Sequence, residues 1–238
     1  MSLRTLKYDY KLLKGDPMLI LSMAVPFILW GLMHFVMPWV IHMVREQWEY
    51  DLSPYYRLAG TFFLMLIPMM MGMVYGFVLL DERDGGIITA IAVTPTGKAG
   101  YLKLRLGIPM LASMVFILLF LLLLDLGRDR SWFQLLLLIP VIASQSLIML
   151  LLLGAFAANK VMGMAISKGF GILLVGPFLD YLLPPPMNWI GAYSPLFWAS
   201  RSLLADQASH FWFFLCITIL FHCLLLWILF RKFRARSD

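Results

Sequence analysis

The sequence predicts an all-helical integral membrane protein with six transmembrane helices. Hydrophobic residues make up 62% of the chain and charged residues only 13%, and the mean hydropathy is +0.86. Several apolar runs reach the roughly 18 residues that mark a membrane-spanning helix, and 238 residues leave room for about six of them. This composition excludes an ordinary soluble domain, and we expect residues 1–238 to form a single transmembrane domain.

The N-terminal part of the chain predicts a basic surface segment followed by the first span. Residues 1–16 carry about one basic residue per helical turn with leucines between them, which is typical of an amphipathic helix on the cytoplasmic leaflet or of an unstructured basic arm. The first span, residues 17–44, is too long for the apolar region of a cleavable signal. Pro26 and Pro38 predict kinks in it. His34 lies in mid-span, where an ionisable side chain is either functional or bonded to a neighbouring helix.

The second span, predicted at residues 55–80, contains the sequence PMMMGMVYG. Gly72 and Gly76 form a GxxxG pair, which permits close approach of another helix. The methionines are interpreted either as a pliable wall around a varied substrate or as ordinary packing. The candidate residues for a transport pathway or a dimer seam are His34, Met69, Met70, Met71, Gly72, Met73 and Gly76.

The remaining apolar segments predict four more spans, at residues 106–126, 132–158, 161–183 and 211–230. Three prolines at 184–186 end the fifth span because consecutive prolines cannot continue a helix. Residues 184–210 are too polar to span the membrane and too apolar for a free loop. Ser194-Pro195 predicts a helix cap and first helical residue there. We expect short helices lying in, or dipping into, the outer leaflet.

The basic residues predict the orientation. Fourteen of the 19 fall in segments that would be cytoplasmic if the N-terminus is inside, and positive charge concentrates on the cytoplasmic side of membrane proteins. Both termini are therefore predicted to be cytoplasmic. The same bias accounts for the net charge of +6 without nucleic-acid binding.

Sequence motifs for catalysis and metal binding are not found. The chain has no GxxxxGK[ST] phosphate loop, no HExxH zinc motif and no serine–histidine pair at a nucleophile elbow. Cys216 and Cys223 share a helix face, but His222 points about 100° away from Cys223. Charged residues lie mostly at segment ends, which argues against a proton-coupled transporter. We expect no catalytic residue, no metal site and no cofactor on this chain.

The longest charged interruption, residues 81–105, has the sequence DERDGGIITAIAVTPTGKAGYLKLR. Asp84 is predicted to cap a short helix over Gly85–Val93, and Thr94-Pro95 to begin the next helix. Ile87, Ile88 and Ile91 are predicted to form an exposed apolar face, which needs a partner groove or the lipid interface. The alternative interpretation is a solvated connection with incidental isoleucines.

These motifs resemble those of a known transporter family. The sequence has ERDG at residues 82–85, TP at 94–95 and YLK at 101–103, similar to the pattern E-x-x-G-T…TP…Y-L-x-x-K in permease subunits of ABC-2-type (type V) ATP-binding-cassette exporters. The resemblance extends to NKVxG at 159–163 and SPxxW at 194–198, and covers most of the chain. Gly86 and Thr89 depart from the usual threonine and glutamate.

The resemblance implies a cytoplasmic coupling helix in residues 81–105, extracellular re-entrant helices in residues 184–210, and two permease chains per transporter, identical or different. It also implies a partner nucleotide-binding ATPase subunit, which holds ATP and Mg. The two departures leave open which residues contact the ATPase. The residues expected to couple to it are Glu82, Arg83, Asp84, Gly85, Ile87, Ile88 and Ile91.

We therefore expect a multi-pass protein of a bacterial plasma membrane, the permease subunit of an ATP-driven exporter of an apolar or amphipathic substrate. Two alternatives follow from the same sequence. The first is a small secondary transporter or channel that works without an ATPase. The second is an immunity or scaffold membrane protein that transports nothing.

Overall fold

The computed structural model describes residues 17–93, 97–124 and 131–237. The predicted N-terminal amphipathic segment and the Thr94-Pro95 helix start lie outside the described residues. Within them the secondary structure is helical, without β-strands, and six helical segments are long and apolar enough to cross a membrane. The predicted fold class, an all-helical protein with six transmembrane helices, is confirmed.

Among the described residues, the six spans comprise nine α-helices, and two short α-helices lie between spans. The first span consists of α1 and α2, the second of α3, the third of α5, the fourth of α6 and α7, the fifth of α8 and α9, and the sixth of α11. The helices are α1 Pro17–Gly31, α2 Met37–Trp48, α3 Tyr56–Asp84, α4 Ile87–Ala92, α5 Gly97–Leu124, α6 Trp132–Ala143, α7 Gln145–Phe156, α8 Lys160–Lys168, α9 Gly171–Leu182, α10 Pro195–Leu204 and α11 Ala208–Ser237.

An even number of spans places both ends of the described chain on one side of the bundle. The short helix α4 and the turn before α8 lie on that side, which we call the α4 end. The turns before α3 and α6, and helix α10, lie on the other side, which we call the α10 end.

The first span is not one regular α-helix. Pro26 lies inside α1 and Pro38 in the first turn of α2. Between α1 and α2 the chain forms a π-helical turn, Leu32–Val36, which contains His34. The regular hydrogen-bond pattern is thus interrupted in mid-span, in the region that the two prolines flank.

The second and fourth spans form the core of the bundle. In the most apolar part of each span, 78% of the residues are buried for the second and 67% for the fourth, against 22% for the first, fifth and sixth. Since a membrane protein needs no polar outer surface, the other spans can present apolar side chains to lipid.

Glycines bring the core helices together. A Cβ atom at Gly72 would lie 2.1 Å from the backbone oxygen of Ser146, and one at Gly76 would lie 2.7 Å from Cδ1 of Leu153. The predicted close approach at this GxxxG pair is confirmed, and its partner is the fourth span of the same chain.

A second close contact joins the fifth span to the second. A Cβ atom at Gly163 would lie 2.6 Å from Cδ1 of Leu80. Gly171, two helical turns further along the fifth span, has no neighbouring atom within 4 Å of such a Cβ position. The close contact is therefore restricted to the first part of the fifth span.

The segment between the fifth and sixth spans folds into short helices. Helix α9 ends at Leu182, before the three prolines, and a 3₁₀ turn over Met187–Tyr193 leads into α10. Oγ of Ser194 accepts a hydrogen bond from the backbone N–H of Leu196 at 3.2 Å, so the predicted cap is confirmed. The same hydroxyl donates to the carbonyl of Leu173 at 2.6 Å, which ties this segment to α9.

Candidate functional site

Four consecutive charged residues, Asp81–Asp84, end helix α3, and we call them the charged cluster. The helix continues through Asp84, so successive side chains point about 100° apart around its axis. The four residues consequently contact three different neighbouring spans.

Glu82 joins the second span to the third. Its side chain is buried, with the residue 6% exposed, and its carboxylate accepts hydrogen bonds from Nε of Arg105 at 2.7 Å, from Nη2 of Arg105 and from the Tyr101 hydroxyl. Tyr101 and Arg105 are four residues apart and therefore lie on one face of α5. A buried carboxylate is tolerated here because a bidentate guanidinium and a hydroxyl satisfy it.

Arg83 joins the second span to the fourth. Its Nη2 donates to the carbonyls of Ala157 at 2.7 Å and Ala158 at 2.8 Å, and its Nη1 donates to the carbonyl of Gly154 at 3.3 Å. Helix α7 ends at Phe156, so these carbonyls belong to its C-terminal end, where backbone acceptors lack helical partners. The guanidinium satisfies them and complements the negative end of the helix dipole.

The two aspartates join the second span to the fifth. Nζ of Lys160 lies 2.5 Å from Oδ2 of Asp81, and the backbone N–H of Lys160 donates to Oδ2 of Asp84 at 3.3 Å. Asn159 caps α8 by accepting from the N–H of Met162 at 2.9 Å. The Lys160 and Asp81 side chains are 32% and 44% exposed, so this contact is weaker than the buried Glu82–Arg105 pair.

The predicted cap of α4 by Asp84 is wrong. Because α3 continues through Asp84, this carboxylate belongs to the end of one helix and not to the start of the next. Helix α4 begins at Ile87, preceded by Gly86 with φ +71° and without a side-chain cap. Glycine adopts this left-handed conformation without a steric penalty, so Gly86 forms the corner between α3 and α4.

The exposed apolar surface of α4 also differs from the prediction. Ile88 and Ile91 are partly buried and pack against the hydrophobic core, because α4 lies against α5 and α3. The side chains that face outward are those of Ile87, which is 37% exposed, and Val93, which is 88% exposed, with Ala90 also exposed. We call Ile87, Ala90 and Val93 the outer face of α4.

The predicted coupling residues therefore fall into two groups. Asp84, Gly85 and Ile87 are exposed at the surface. Glu82 and Arg83 bond to groups of other spans of the same chain, and Ile88 and Ile91 pack against the core. Sequence analysis missed the partners of this cluster, which are Tyr101, Arg105 and Lys160. Tyr101 and Arg105 could have been recognised as partners of a carboxylate from their i,i+4 spacing, which places a hydroxyl and a guanidinium on one helix face.

Most of the predicted pathway residues pack inside the chain. Met69 and Met71 are buried, with 5% and 0% exposed, and Met70 and Met73 are partly buried. The glycine pair contacts the fourth span of the same chain. That contact occupies both glycines, so the assignment of Gly72 and Gly76 to a dimer seam is corrected to intrachain packing.

His34 is the exception among these residues because its side chain is exposed on the outside of the bundle. No described residue of a neighbouring helix is hydrogen-bonded to it. The imidazole instead stacks on Trp30, with ring centroids 5.3 Å apart, and meets the Phe35 ring edge-on at 4.7 Å. All three rings belong to the first span.

A second polar contact lies at the α10 end. Nε of Arg201 lies 2.9 Å from both carboxylate oxygens of Asp180, and Nη2 lies 2.6 Å from Oδ1. Nδ2 of Asn188 donates to the same carboxylate at 3.2 Å. The guanidinium carbon of Arg201 lies within about 5 Å of three aromatic rings, those of Trp189, Phe197 and Phe214. This arrangement holds α10 against α9.

Both sites consist of charged side chains that are paired with groups on other helices. Among the residues that the structure describes, no three histidine, cysteine, aspartate or glutamate side chains are placed to hold a metal ion. The charged groups at both sites are paired with one another across helices. These pairs hold the ends of neighbouring spans together.

Comparison with known proteins agrees with this interpretation. A family model described as "Fluoroquinolones export permease protein Rv2686c-like" matches residues 9–230. Two relatives from Mycobacterium tuberculosis, the fluoroquinolones export permease proteins Rv2686c of strain H37Rv and MT2760 of strain CDC 1551, are each 28% identical over 230 residues, which is 93% of this chain and 89% of theirs. No solved structure matches the chain significantly.

The match covers nearly the whole chain, including all six spans and both polar sites. The family match and the six apolar helices together identify the chain as a multi-pass plasma-membrane permease of the export type. The chain belongs to the Rv2686c-like family of fluoroquinolones export permease proteins.

Proposed function

We propose that this chain is the transmembrane subunit of an ATP-driven exporter, in which a separate subunit binds and hydrolyses ATP. One observation carries the proposal. The outer face of α4 exposes apolar side chains directly beside a charged cluster that ties α3 to three other spans. A partner bound to this apolar face would displace α4, and the charged cluster would transmit the displacement to the other spans.

The outer face of α4 is the proposed docking surface for the ATPase. Val93 and Ile87 are both exposed, and the predicted orientation places them on the cytoplasmic side, where an ATPase would be. Full burial of such a side chain contributes about 1.5–3 kcal/mol. A groove on the ATPase that covers both side chains would therefore hold α4 firmly enough to move it.

The charged cluster is the proposed path of the movement. A displacement of α4 reaches α3 and α5 directly because α4 packs against both. The Glu82–Arg105 pair keeps the ends of these two helices together, and Arg83 and Lys160 pass the displacement to the fourth and fifth spans. Packed helices with discrete contacts shift as units.

ATP would bind to a separate partner subunit because the sequence of this chain has no phosphate loop. ATP binding would close the partner ATPase, and the motion of α4 would open and close the interface between two permease chains. The exposed imidazole of His34 supports a second chain, since a polar group facing lipid in mid-membrane is costly unless another protein surface covers it. We assign this second-chain seam to the first span, at His34.

The proposed substrate class follows from the relatives, whose names specify fluoroquinolones. These are flat aromatic molecules with polar ends, and an amphipathic molecule of this kind agrees with the aromatic and methionine-rich spans. We propose that this chain exports fluoroquinolone-like amphipathic compounds. The family match gives no support to a scaffold or immunity protein.

Co-purification tests the proposal. The tagged permease is expressed with the ATPase subunit from its gene neighbourhood, solubilised in detergent and captured. Wild-type protein should retain the ATPase, and Val93→Asp should lose most of it, because a carboxylate on the outer face of α4 cannot enter an apolar groove. The matched control is Val161→Asp, which changes a valine that is 77% exposed at the same end of the bundle but on a different helix, α8.

Two results would contradict the proposal. One is a permease that retains no ATPase in any form. The other is a Val93→Asp variant that retains as much ATPase as the Val161→Asp control, which would show that α4 is not the docking surface.

A further inference from the structure

The last two turns of α11, at the α4 end, carry a run of basic residues that has no acidic neighbour along the helix. Residues 231–236 are RKFRAR, and residues 207–237 contain neither aspartate nor glutamate. We propose that this end of α11 binds the headgroup of an anionic phospholipid such as phosphatidylglycerol, and that Arg231 and Lys232 contact it. The proposal is independent of the export function and of the ATPase.

Arg231 and Lys232 both present their charges at the surface. Among the described residues, their contacts are with aromatic rings and not with a carboxylate. Cζ of Arg231 lies 4.8 Å from the centre of the Trp227 ring, and Nζ of Lys232 lies 3.9 Å from the centre of the Phe156 ring. A contact with a ring face orients a cation and leaves its N–H donors available to the oxygens of an anion.

The same rings place the two charges at headgroup depth. Trp227 lies one turn before Arg231 at the end of the apolar run of α11, and it is 57% exposed, with Phe230 41% and Phe156 40% exposed. Aromatic rings at the end of a span lie at the membrane interface, and basic side chains beside them extend toward the phosphates. A lipid at this position can therefore contact the rings with its acyl chains and the cations with its headgroup.

The charge of the site favours an anionic lipid over a zwitterionic one. A guanidinium binds phosphate oxygens through two parallel hydrogen bonds, and an ammonium adds a compact positive charge. The headgroup of phosphatidylcholine carries its own cation, which this basic end would repel, whereas phosphatidylglycerol carries a net negative charge. Each lysine or arginine near an anionic surface strengthens binding about fivefold.

A lipid bound here would hold the sixth span against the fourth, next to the charged cluster. The Phe233 ring is buried, and its Cδ2 and Cε2 atoms lie 2.8 Å from the position of a Cβ atom at Gly154. The carbonyl of Gly154 also accepts the hydrogen bond from Nη1 of Arg83. The end of α11 and the charged cluster thus meet at the same turn of α7, so a lipid that fixes α11 supports this turn.

Native mass spectrometry of the full-length permease in detergent tests the inference. The protein is titrated with phosphatidylglycerol or with phosphatidylcholine of identical acyl chains, and the dissociation constant of each lipid is measured. The double variant Arg231→Gln/Lys232→Gln removes both charges from the site. The matched control, Lys103→Gln/Lys168→Gln, removes the same total charge from exposed lysines of α5 and α8.

We expect the wild-type permease to bind phosphatidylglycerol more tightly than phosphatidylcholine. Arg231→Gln/Lys232→Gln should weaken phosphatidylglycerol binding roughly 25-fold, which is about fivefold for each charge, and leave phosphatidylcholine binding unchanged. The exchange variant Arg231→Lys/Lys232→Arg keeps both charges and should bind like wild type, as should the control. Equal affinities of the wild-type protein for the two lipids, or equal losses in the site and control variants, would overturn the inference.

Two further measurements identify the occupant. Glycerophosphoglycerol, the same headgroup without acyl chains, should not displace phosphatidylglycerol at equal concentration because it cannot contact the rings of Trp227 and Phe230. Displacement would overturn the assignment to a lipid. In the co-purification described above, Arg231→Gln/Lys232→Gln should retain the ATPase. Loss of the ATPase with unchanged lipid binding would show that the basic end binds the partner protein, and would also overturn the inference.

Discussion

Nε of Arg105 donates to the Glu82 carboxylate at 2.7 Å, and both side chains are more than 90% buried. The two residues lie 23 positions apart, at the facing ends of the second and third spans, and the short helix α4 connects those ends. Any displacement of α4 is thereby applied to two spans that cannot separate without breaking a buried ion pair. The pair therefore holds the second and third spans together at the α4 end.

We predict that neutralising one member of this pair destabilises the protein. Glu82→Gln leaves the Arg105 guanidinium buried without a counter-charge, and such a change typically costs about 3–5 kcal/mol. The midpoint of thermal unfolding in detergent should fall by several degrees. A second change, Arg105→Met, made in the Glu82→Gln background should recover part of the loss because it removes the unpaired charge.

The exposed pair Arg45–Asp51, whose atoms are 2.8 Å apart, provides the control. Asp51→Asn should leave the unfolding midpoint unchanged because water solvates both groups. If Glu82→Gln were as harmless as Asp51→Asn, the buried pair would not hold the two spans together.

We predict that Arg83 stabilises the end of the fourth span through geometry as well as charge. Arg83→Lys keeps the positive charge but cannot reach the carbonyls of Ala157 and Ala158 together, since an ammonium lacks the planar fork of a guanidinium. The free energy of unfolding should fall by about 1–3 kcal/mol, and backbone amides at the end of α7 should exchange hydrogen faster. Unchanged exchange in α7 would show that the hydrogen bonds contribute nothing to its stability.

We predict that Gly72 cannot carry a side chain. A Cβ atom there would lie 2.1 Å from the backbone oxygen of Ser146, so Gly72→Ala must push the second and fourth spans apart. Overpacking of this kind costs about 1–3 kcal/mol or more. Gly107→Ala is the matched control, because no atom lies within 4 Å of its Cβ position, and alanine there should be neutral or slightly stabilising.

The yield of monodisperse permease and its unfolding midpoint provide the measurement. A Gly72→Ala protein as stable as Gly107→Ala would mean that the two core helices are not in the close contact described above.

We predict that two neighbouring apolar residues of α4 have separable roles. Ile88→Ala removes side-chain packing against the core and should lower stability by about 1–2 kcal/mol, while the folded fraction still binds the ATPase. Val93→Ser, on the outer face, should leave stability unchanged and weaken ATPase binding. Unfolding midpoints and ATPase retention, measured on the same preparations, distinguish the two effects; identical behaviour of both variants would contradict the assignment of an inner and an outer face.

The sequence was sufficient to predict the six spans because each contains an apolar run that is long enough to cross a membrane. Runs of this length and composition are not accommodated by a soluble fold. The Ser194 cap and the close approach at Gly72 were equally predictable, since both follow from local rules. The orientation of α4 was not. In a six-residue helix between glycine corners, Ile88 and Ile91 share a face, but only the packing of α4 against α5 decides that this face turns inward.

The polar contacts between different spans could not be predicted from the sequence. Asp81–Asp84 looks like a solvated interruption, yet Arg83 and Lys160 find their partners more than 70 residues away. Arg201 and Asp180 meet across a connection that includes three prolines. Such pairs depend on which spans become neighbours, and helix periodicity within one span contains no information about that.

Transport by purified components tests the central claim most directly. The permease and its ATPase partner are reconstituted in liposomes, and uptake of a fluoroquinolone into inside-out vesicles is measured with and without ATP. We predict uptake that requires ATP and the ATPase, and that falls to background with Val93→Asp but not with Val161→Asp. Uptake by the permease alone, driven by a proton gradient without ATP, would contradict the account.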